Sequence, residues 1–325
     1  MTFRTLILLL TCLGRSLPAA ESHHEVVAGW PSLPEGHILG VCAGVGVDSH
    51  NQVFVFHRCG RQWSNPFPKE PIAEATVSVF DGPSGRLVSS WGAGQFVMPH
   101  GLTVDCDDHV WLTDVGLHQV FEFTRDGKQL MLLGERGHPG DDHAHFNLPT
   151  DVAVLPDGSF YVSDGYKNTR VVKFSAQGGY QFEWGSKGTE PGQFNLPHGI
   201  AVDKQGQVYV CDRSNSRLQV FDPQGKFLSQ WQGPHIGRPY GVAVDGDDHI
   251  FIVDGGEPSL KVAECGKAVE LDATGRVVDT FGSHGSGPGQ FRVGHDIAIG
   301  PDGAVYVADS GNRRVHKFVR KGTSK

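Results

Sequence analysis

"HGIAVDKQGQVYVCDRSNSRLQVFDPQGKFLSQWQ", residues 198–232, repeats the plan of "TDVAVLPDGSFYVSDGYKNTRVVKFSAQGGYQFEWG", residues 150–185. Each runs through an alternating apolar segment, a glycine turn and a second apolar segment ending in Asp. A polar loop, a third segment, another turn and a fourth segment follow. Period-two alternation bounded by turn residues is the pattern of β-strands. Further copies begin at Ala43, His100, Tyr240 and His295, and the last breaks off near Phe318. Units of four short strands, roughly forty to fifty residues each, are propeller blades rather than sandwich sheets. The expected fold is therefore all-β, a single six-bladed β-propeller over residues 21–325. Its truncated last blade should borrow a strand from residues 22–40 to close the ring.

The segments outside the repeat bound the setting. "MTFRTLILLLTCLGRSLPAA", residues 1–20, has an early arginine, an apolar run and small residues before Glu21. That is the plan of a secretory signal peptide cleaved near Ala19 or Ala20. The run is far too short to span a bilayer, and no other segment approaches the length required. A secreted chain is expected, or a periplasmic one if the source is bacterial. A net charge of −8 over 325 residues provides no basic stripe, which argues against a nucleic-acid partner. Without Cys12, the cysteines are Cys42, Cys59, Cys106, Cys211 and Cys265. An exported chain favours disulfides, but an odd count leaves a thiol unpaired. No CxxC pair suggests a cysteine zinc cluster, and neither GxSxG nor a P-loop occurs.

Residues that depart from the repeat carry the functional signal. Strand direction alternates in a meander, so the loop after each second strand shares a face with the entry to the first. The entry residues around the ring are Ala43, His100, Thr150, His198, Tyr240 and His295. Histidine occupies alternate blades, an approximately threefold arrangement at the channel mouth. Three neutral imidazoles with an open fourth position suit a catalytic zinc. On the same face, the residue after the second strand is Arg58, Val115, Gly165, Arg213, Gly255 or Ser310. Arg58 and Arg213 fall outside the pattern, whereas Arg170, Arg217 and Arg314 occupy the consensus position and should bond structurally. The blade-three loop "DGYKNTR" is one residue longer than "DRSNSR", which presents Tyr166. By contrast, "HPGDDHAHF" reads as a polar loop, and His109 and His249 belong to turns on the opposite face.

"YVSDGYKNTRVVKF", "YVCDRSNSRLQVF" and "YVADSGNRRVHKF" resemble NHL repeats, a likeness specific for fold and silent on function. With "VFVFHR", "PHGLTVD", "TDVGLHQVFEF", "PTDVAV", "LPHGIAVD" and "GHDIAI", residues 40–320 further resemble the peptidyl-α-hydroxyglycine α-amidating lyases. The resemblance implies a carbon–nitrogen lyase acting on peptides that end in α-hydroxyglycine and releasing an amide and glyoxylate. It implies Zn2+ on His100, His198 and His295, with Tyr166 as base and Arg58 and Arg213 beside the substrate. It also implies a structural Ca2+ on the Val45 and Leu102 carbonyls and the Asp296 carboxylate. The family's disulfide positions hold Asn147, Lys167, Tyr209 and Val220 here, and Gly294 replaces the proline before the third histidine. With no copper-monooxygenase sequence in the chain, a separate copper monooxygenase is the expected partner of a monomeric propeller. Two other classes share this architecture. Calcium-dependent lactonases use carboxylates and Asn in the channel, and non-enzymatic NHL binding modules need no metal.

Overall fold

A computed structural model describes residues 22–256 and 266–322; the expected leader, residues 1–20, and Cys265 lie outside them. Each repeat folds as a four-stranded antiparallel sheet, and six such blades surround a channel. Their inner strands are Cys42–Val47, Pro99–Val104, Pro149–Val154, Pro197–Val202, Pro239–Val244 and Gly294–Ile299. Blade four shows the plan without interruption: after Pro197–Val202 come Val208–Asp212, Arg217–Phe221 and Phe227–Gln232. Asp203 closes the first turn by accepting the N–H groups of Gln205 and Gln207 at 2.9 and 2.8 Å. Asp105 and Asp245 do the same in blades two and five.

Alternating side chains of adjacent sheets interdigitate, so each blade-to-blade junction has its own apolar cluster. Phe54 and Phe56 of blade one meet Leu112, Phe121 and Phe123 of blade two. Tyr209 and Leu218 of blade four meet Ile250, Ile252 and Val269 of blade five. No blade can bury both faces alone, which makes closure of the ring a condition of stability. Blade six obtains its fourth strand from the start of the chain: His24–Val26 pairs antiparallel with Arg314–Arg320. His24 Nδ1 also lies 2.7 Å from Asp279 Oδ2 of blade five, tying the closing strand to its neighbour. The borrowed strand expected from residues 22–40 is thus present.

The expectation of disulfides is not met among the described residues. Cys42, Cys59 and Cys211 are buried thiols and Cys106 is an exposed one. Cys211 sits in the second strand of blade four, and Cys106 in a turn of blade two. Cys42 and Cys59 share blade one but address different carbonyls, Gly40 and Ala75. No helix among the described residues is long and apolar enough to cross a membrane.

Candidate active site

The consensus Asp at the end of a second strand explains how the entry residues are held. Asp114 accepts the N–H groups of Val97 and Met98, immediately before Pro99 and His100. Asp212 does this for Asn195 and Leu196, before Pro197 and His198. Asp309 does it for Arg292 and Val293, before Gly294 and His295. The consensus arginine then braces the carboxylate: Arg217 Nε donates to Asp212 at 2.8 Å and its Nη groups donate to carbonyls of Thr189, Glu190 and Gln193. Every inner strand carries a register shift at its entry, between Pro99 and Leu102 in blade two and between Pro197 and Ile200 in blade four. An extra residue in one strand of a pair re-aims a side chain. Here the shift falls on the entry residue.

The three histidines meet on the channel axis. Their ring centroids are 4.8, 4.8 and 4.9 Å apart, and all three are buried. The neighbouring blade orients each ring: Nδ1–H donates at 2.7 Å to the carbonyl of Thr150, Tyr240 or Ala43. Those acceptors are the entry residues that are not histidine. A carbonyl can only accept, so the proton is fixed on Nδ1 and Nε2 keeps its lone pair. Gly101 and Gly199 permit this approach, because a Cβ there would stand 2.5 Å from the Thr150 carbonyl oxygen or 2.6 Å from that of Tyr240. Burial, reinforced by the neighbouring cations, holds the imidazoles well below their usual pKa, to about 3 for His295. Neutral, tautomer-fixed imidazoles with potential ligand atoms within 4.8 Å of one another fit a zinc-type ion.

Tyr166 caps this cluster. Its hydroxyl lies 3.1 Å from His100 Nε2 and 3.3 Å from His198 Nε2, and accepts from Arg213 Nη1 at 3.3 Å. The Arg213 guanidinium stacks 4.5 Å from the Tyr240 ring, while its Nε is buried with no partner among the described residues. Arg58 is buried, donates from Nε to the Pro99 carbonyl at 2.8 Å, and lies 5.3 Å from the Trp63 ring. Burial lowers its pKa, and the negative potential of Tyr166 and Asp114 opposes that shift. Two cations, a phenol and three imidazoles therefore share one mouth. Arg170 and Arg314 remain in their blades, as the repeat requires. His109 and His249 stand on the other face beside Glu122 and Glu270.

Below the histidines, a cavity of about 220 Å³ is lined in part by Val45, Leu102, Asp151 and Asp296. Asp296 accepts the Val45 and Ile297 N–H groups at 2.9 Å, and Asp151 accepts those of Val152 and Ile200. Both carboxylates are buried, and burial raises both pKa values; Asp296 raises that of Asp151 further. Hard oxygen donors around two buried carboxylates fit a calcium-type ion. Asp151 joins this group only in the structure; like Asp296, it stands where the other four blades have glycine after the entry residue. Trp63 was missed, and Tyr240 was read as an entry residue without a role at the site. Tyr240 occupies an entry position, which was the available signal.

Taken together, fold and site define a class: this chain is a six-bladed propeller with a histidine-lined mouth, and the NHL repeat matches residues 96–123, 146–174, 194–221 and 295–318. It is a homologue of the Drosophila melanogaster protein named peptidyl-alpha-hydroxyglycine alpha-amidating lyase 1. The two are 35% identical over 319 residues, covering 88% of this chain and 58% of that protein. The Xenopus laevis peptidyl-glycine alpha-amidating monooxygenase B is 35% identical over 317 residues, covering 92% of this chain and 36% of that protein. The chain thus spans little more than a third of the latter. Among solved structures, a streptogramin B lyase superposes with a TM-score of 0.61 at 12% identity, over 93% of this chain and 100% of that one. At that identity the likeness concerns fold alone.

Proposed function

We propose that this chain is a metal-dependent lyase that cleaves the N–Cα bond of a peptidyl-α-hydroxyglycine, giving a peptide amide and glyoxylate. The observation that carries the reading is the contact of one phenol oxygen with two tautomer-fixed imidazoles and an arginine. The names of the Drosophila and Xenopus relatives support the same chemistry. Zn2+ held by His100, His198 and His295 would supply Lewis-acid polarisation of the substrate hydroxyl and lower its pKa.

The remaining work falls to the chain's own groups. Tyr166, as phenolate, takes the hydroxyl proton; the carbon–oxygen double bond forms as the carbon–nitrogen bond breaks. The electron pair leaves with the amide nitrogen, which takes back a proton from the Tyr166 hydroxyl. The cations beside the phenol oxygen offset the negative charge of its anion. Arg213 is in direct contact for that purpose. The unpartnered Arg213 Nε and the Arg58 guanidinium offer the substrate carboxylate forked donors. Below, Val45, Leu102 and Asp296 would hold Ca2+ as a structural ion, and Asp151 adds negative charge to the same cavity. Secretion belongs to the same reading, as does a copper monooxygenase that supplies the hydroxylated peptide.

The test is glyoxylate release from N-acetyl-Phe-α-hydroxyglycine by purified, zinc-loaded protein. Turnover that a chelator abolishes and zinc restores is expected. A rate no faster than spontaneous breakdown of the substrate would refute the reading.

A further inference from the structure

Blade one carries an unusual loop on the histidine face. Residues 58–76 link its second and third strands, where residues 115–118, 165–169, 213–216 and 310–313 suffice in blades two, three, four and six. The loop sets Trp63 over the mouth. Its ring lies 5.0 Å from that of Tyr166 and 4.9 Å, edge to face, from that of Phe67. Although it touches these rings and Arg58, Trp63 stays 43% exposed.

We propose that Trp63, with Phe67, is the subsite for an apolar side chain on the residue preceding the α-hydroxyglycine, an inference that rests on the lyase reading above. The reacting carbon belongs where the Tyr166 hydroxyl meets the imidazoles. The preceding Cα is about 3.8 Å further along the chain. Its side chain therefore reaches the outer side of the Tyr166 ring, where Trp63 stands. The peptide leaves toward solvent, because the buried histidine layer closes the channel beneath it. Another wall of the mouth is the charged Arg213–Tyr240 stack. Trp63 and Phe67 form the apolar wall. A flat indole gives large contact area at low entropy cost and accepts varied apolar shapes, so preference should grade with side-chain size.

The experiment compares N-acetyl-Phe-α-hydroxyglycine with N-acetyl-Gly-α-hydroxyglycine in wild type, Trp63→Ala and Trp63→Phe. The readout is the ratio of the two kcat/KM values, which cancels any general loosening of Tyr166 or Arg58. Trp63→Ala should shrink the Phe-over-Gly ratio by about fivefold or more, while Trp63→Phe retains most of it. An unchanged ratio in Trp63→Ala overturns the subsite, even if both rates fall. Calorimetric titration with N-acetyl-Phe-Gly and N-acetyl-Gly-Gly separates this proposal from the lyase reading, because it needs no turnover. If wild type releases no glyoxylate yet prefers the Phe dipeptide, and Trp63→Ala loses that preference, the lyase reading falls and the subsite stands. If wild type shows no such preference in binding, the subsite falls.

Discussion

Replacing Tyr166 by Phe keeps the ring that packs against Trp63 and Arg213 but deletes the oxygen that reaches His100, His198 and Arg213. Folding and zinc content should survive. The kcat for glyoxylate release should fall by about a hundredfold or more, the usual scale for losing a general base. KM should move less, because the arginines and the three imidazoles remain. A rate close to wild type at saturating substrate would take Tyr166 out of the mechanism. At this scale much of the candidate site was legible beforehand, because His100, His198, His295, Arg58, Arg213 and Tyr166 each interrupt a repeat whose consensus is visible in the chain. Trp63 was not legible. It lies in a loop without periodicity, and only its 5.0 Å approach to the Tyr166 ring marks it.

The element that aims each histidine is a strand entry held by the carboxylate at the end of the next strand. In blade four, Asp212 also bonds Asn215 and Arg217, so it is the node of a buried network. Asp212→Asn removes the charge that Arg217 faces and should destabilise the protein by about 3 kcal/mol or more, the scale of a broken buried ion pair. Asp222→Asn, in a turn of the same blade, should cost less than about 1 kcal/mol, as expected for an ordinary surface change. Urea unfolding of both variants, with zinc retention on dialysis, checks the assignment. Equal midpoints would mean that the entry loop does not depend on this node. The repeat announced the Asp, and strand alternation announced the shared face. The register shift at the entry was invisible, since one extra residue in a strand leaves the apolar pattern almost unchanged.

Over the whole molecule, the buried titratable groups set a pH dependence for the metal-free protein. Burial depresses the pKa of His57, His100, His198 and His295, to about 3 for His57 and His295. The unfolded chain takes up protons on these four below pH 6.5 while the native state does not, so stability is lost as pH falls. Buried carboxylates, Asp151 and Asp296 together with Asp114 and Asp164, act in the opposite direction, because their raised pKa values let the native state bind protons first. Each of the four imidazoles contributes a loss of up to about 1.4 kcal/mol per pH unit below 6.5. Between pH 7 and 5, the Tm of chelated wild type should therefore fall more steeply than that of a His100→Gln/His198→Gln/His295→Gln variant, which lacks three of the four imidazoles. Equal slopes in the two proteins would contradict the neutral, buried state of these imidazoles.

The sequence by itself determined the fold class, the number of blades, the borrowed closing strand and the face on which the departures gather. All of these follow from period-two alternation and from a repeat long enough to compare with itself. Only the tertiary structure decided what each departure meets. His295 finds its acceptor at Ala43, 252 residues away in the chain. Asp151 and Asp296 face one cavity from blades three and six. Trp63 leaves blade one to cover a tyrosine of blade three. These contacts exist because ring closure brings distant blades to a common axis. Strand parity is a local property that repeats along the chain, whereas the distance between two blades is set only when the last sheet pairs with the first strand.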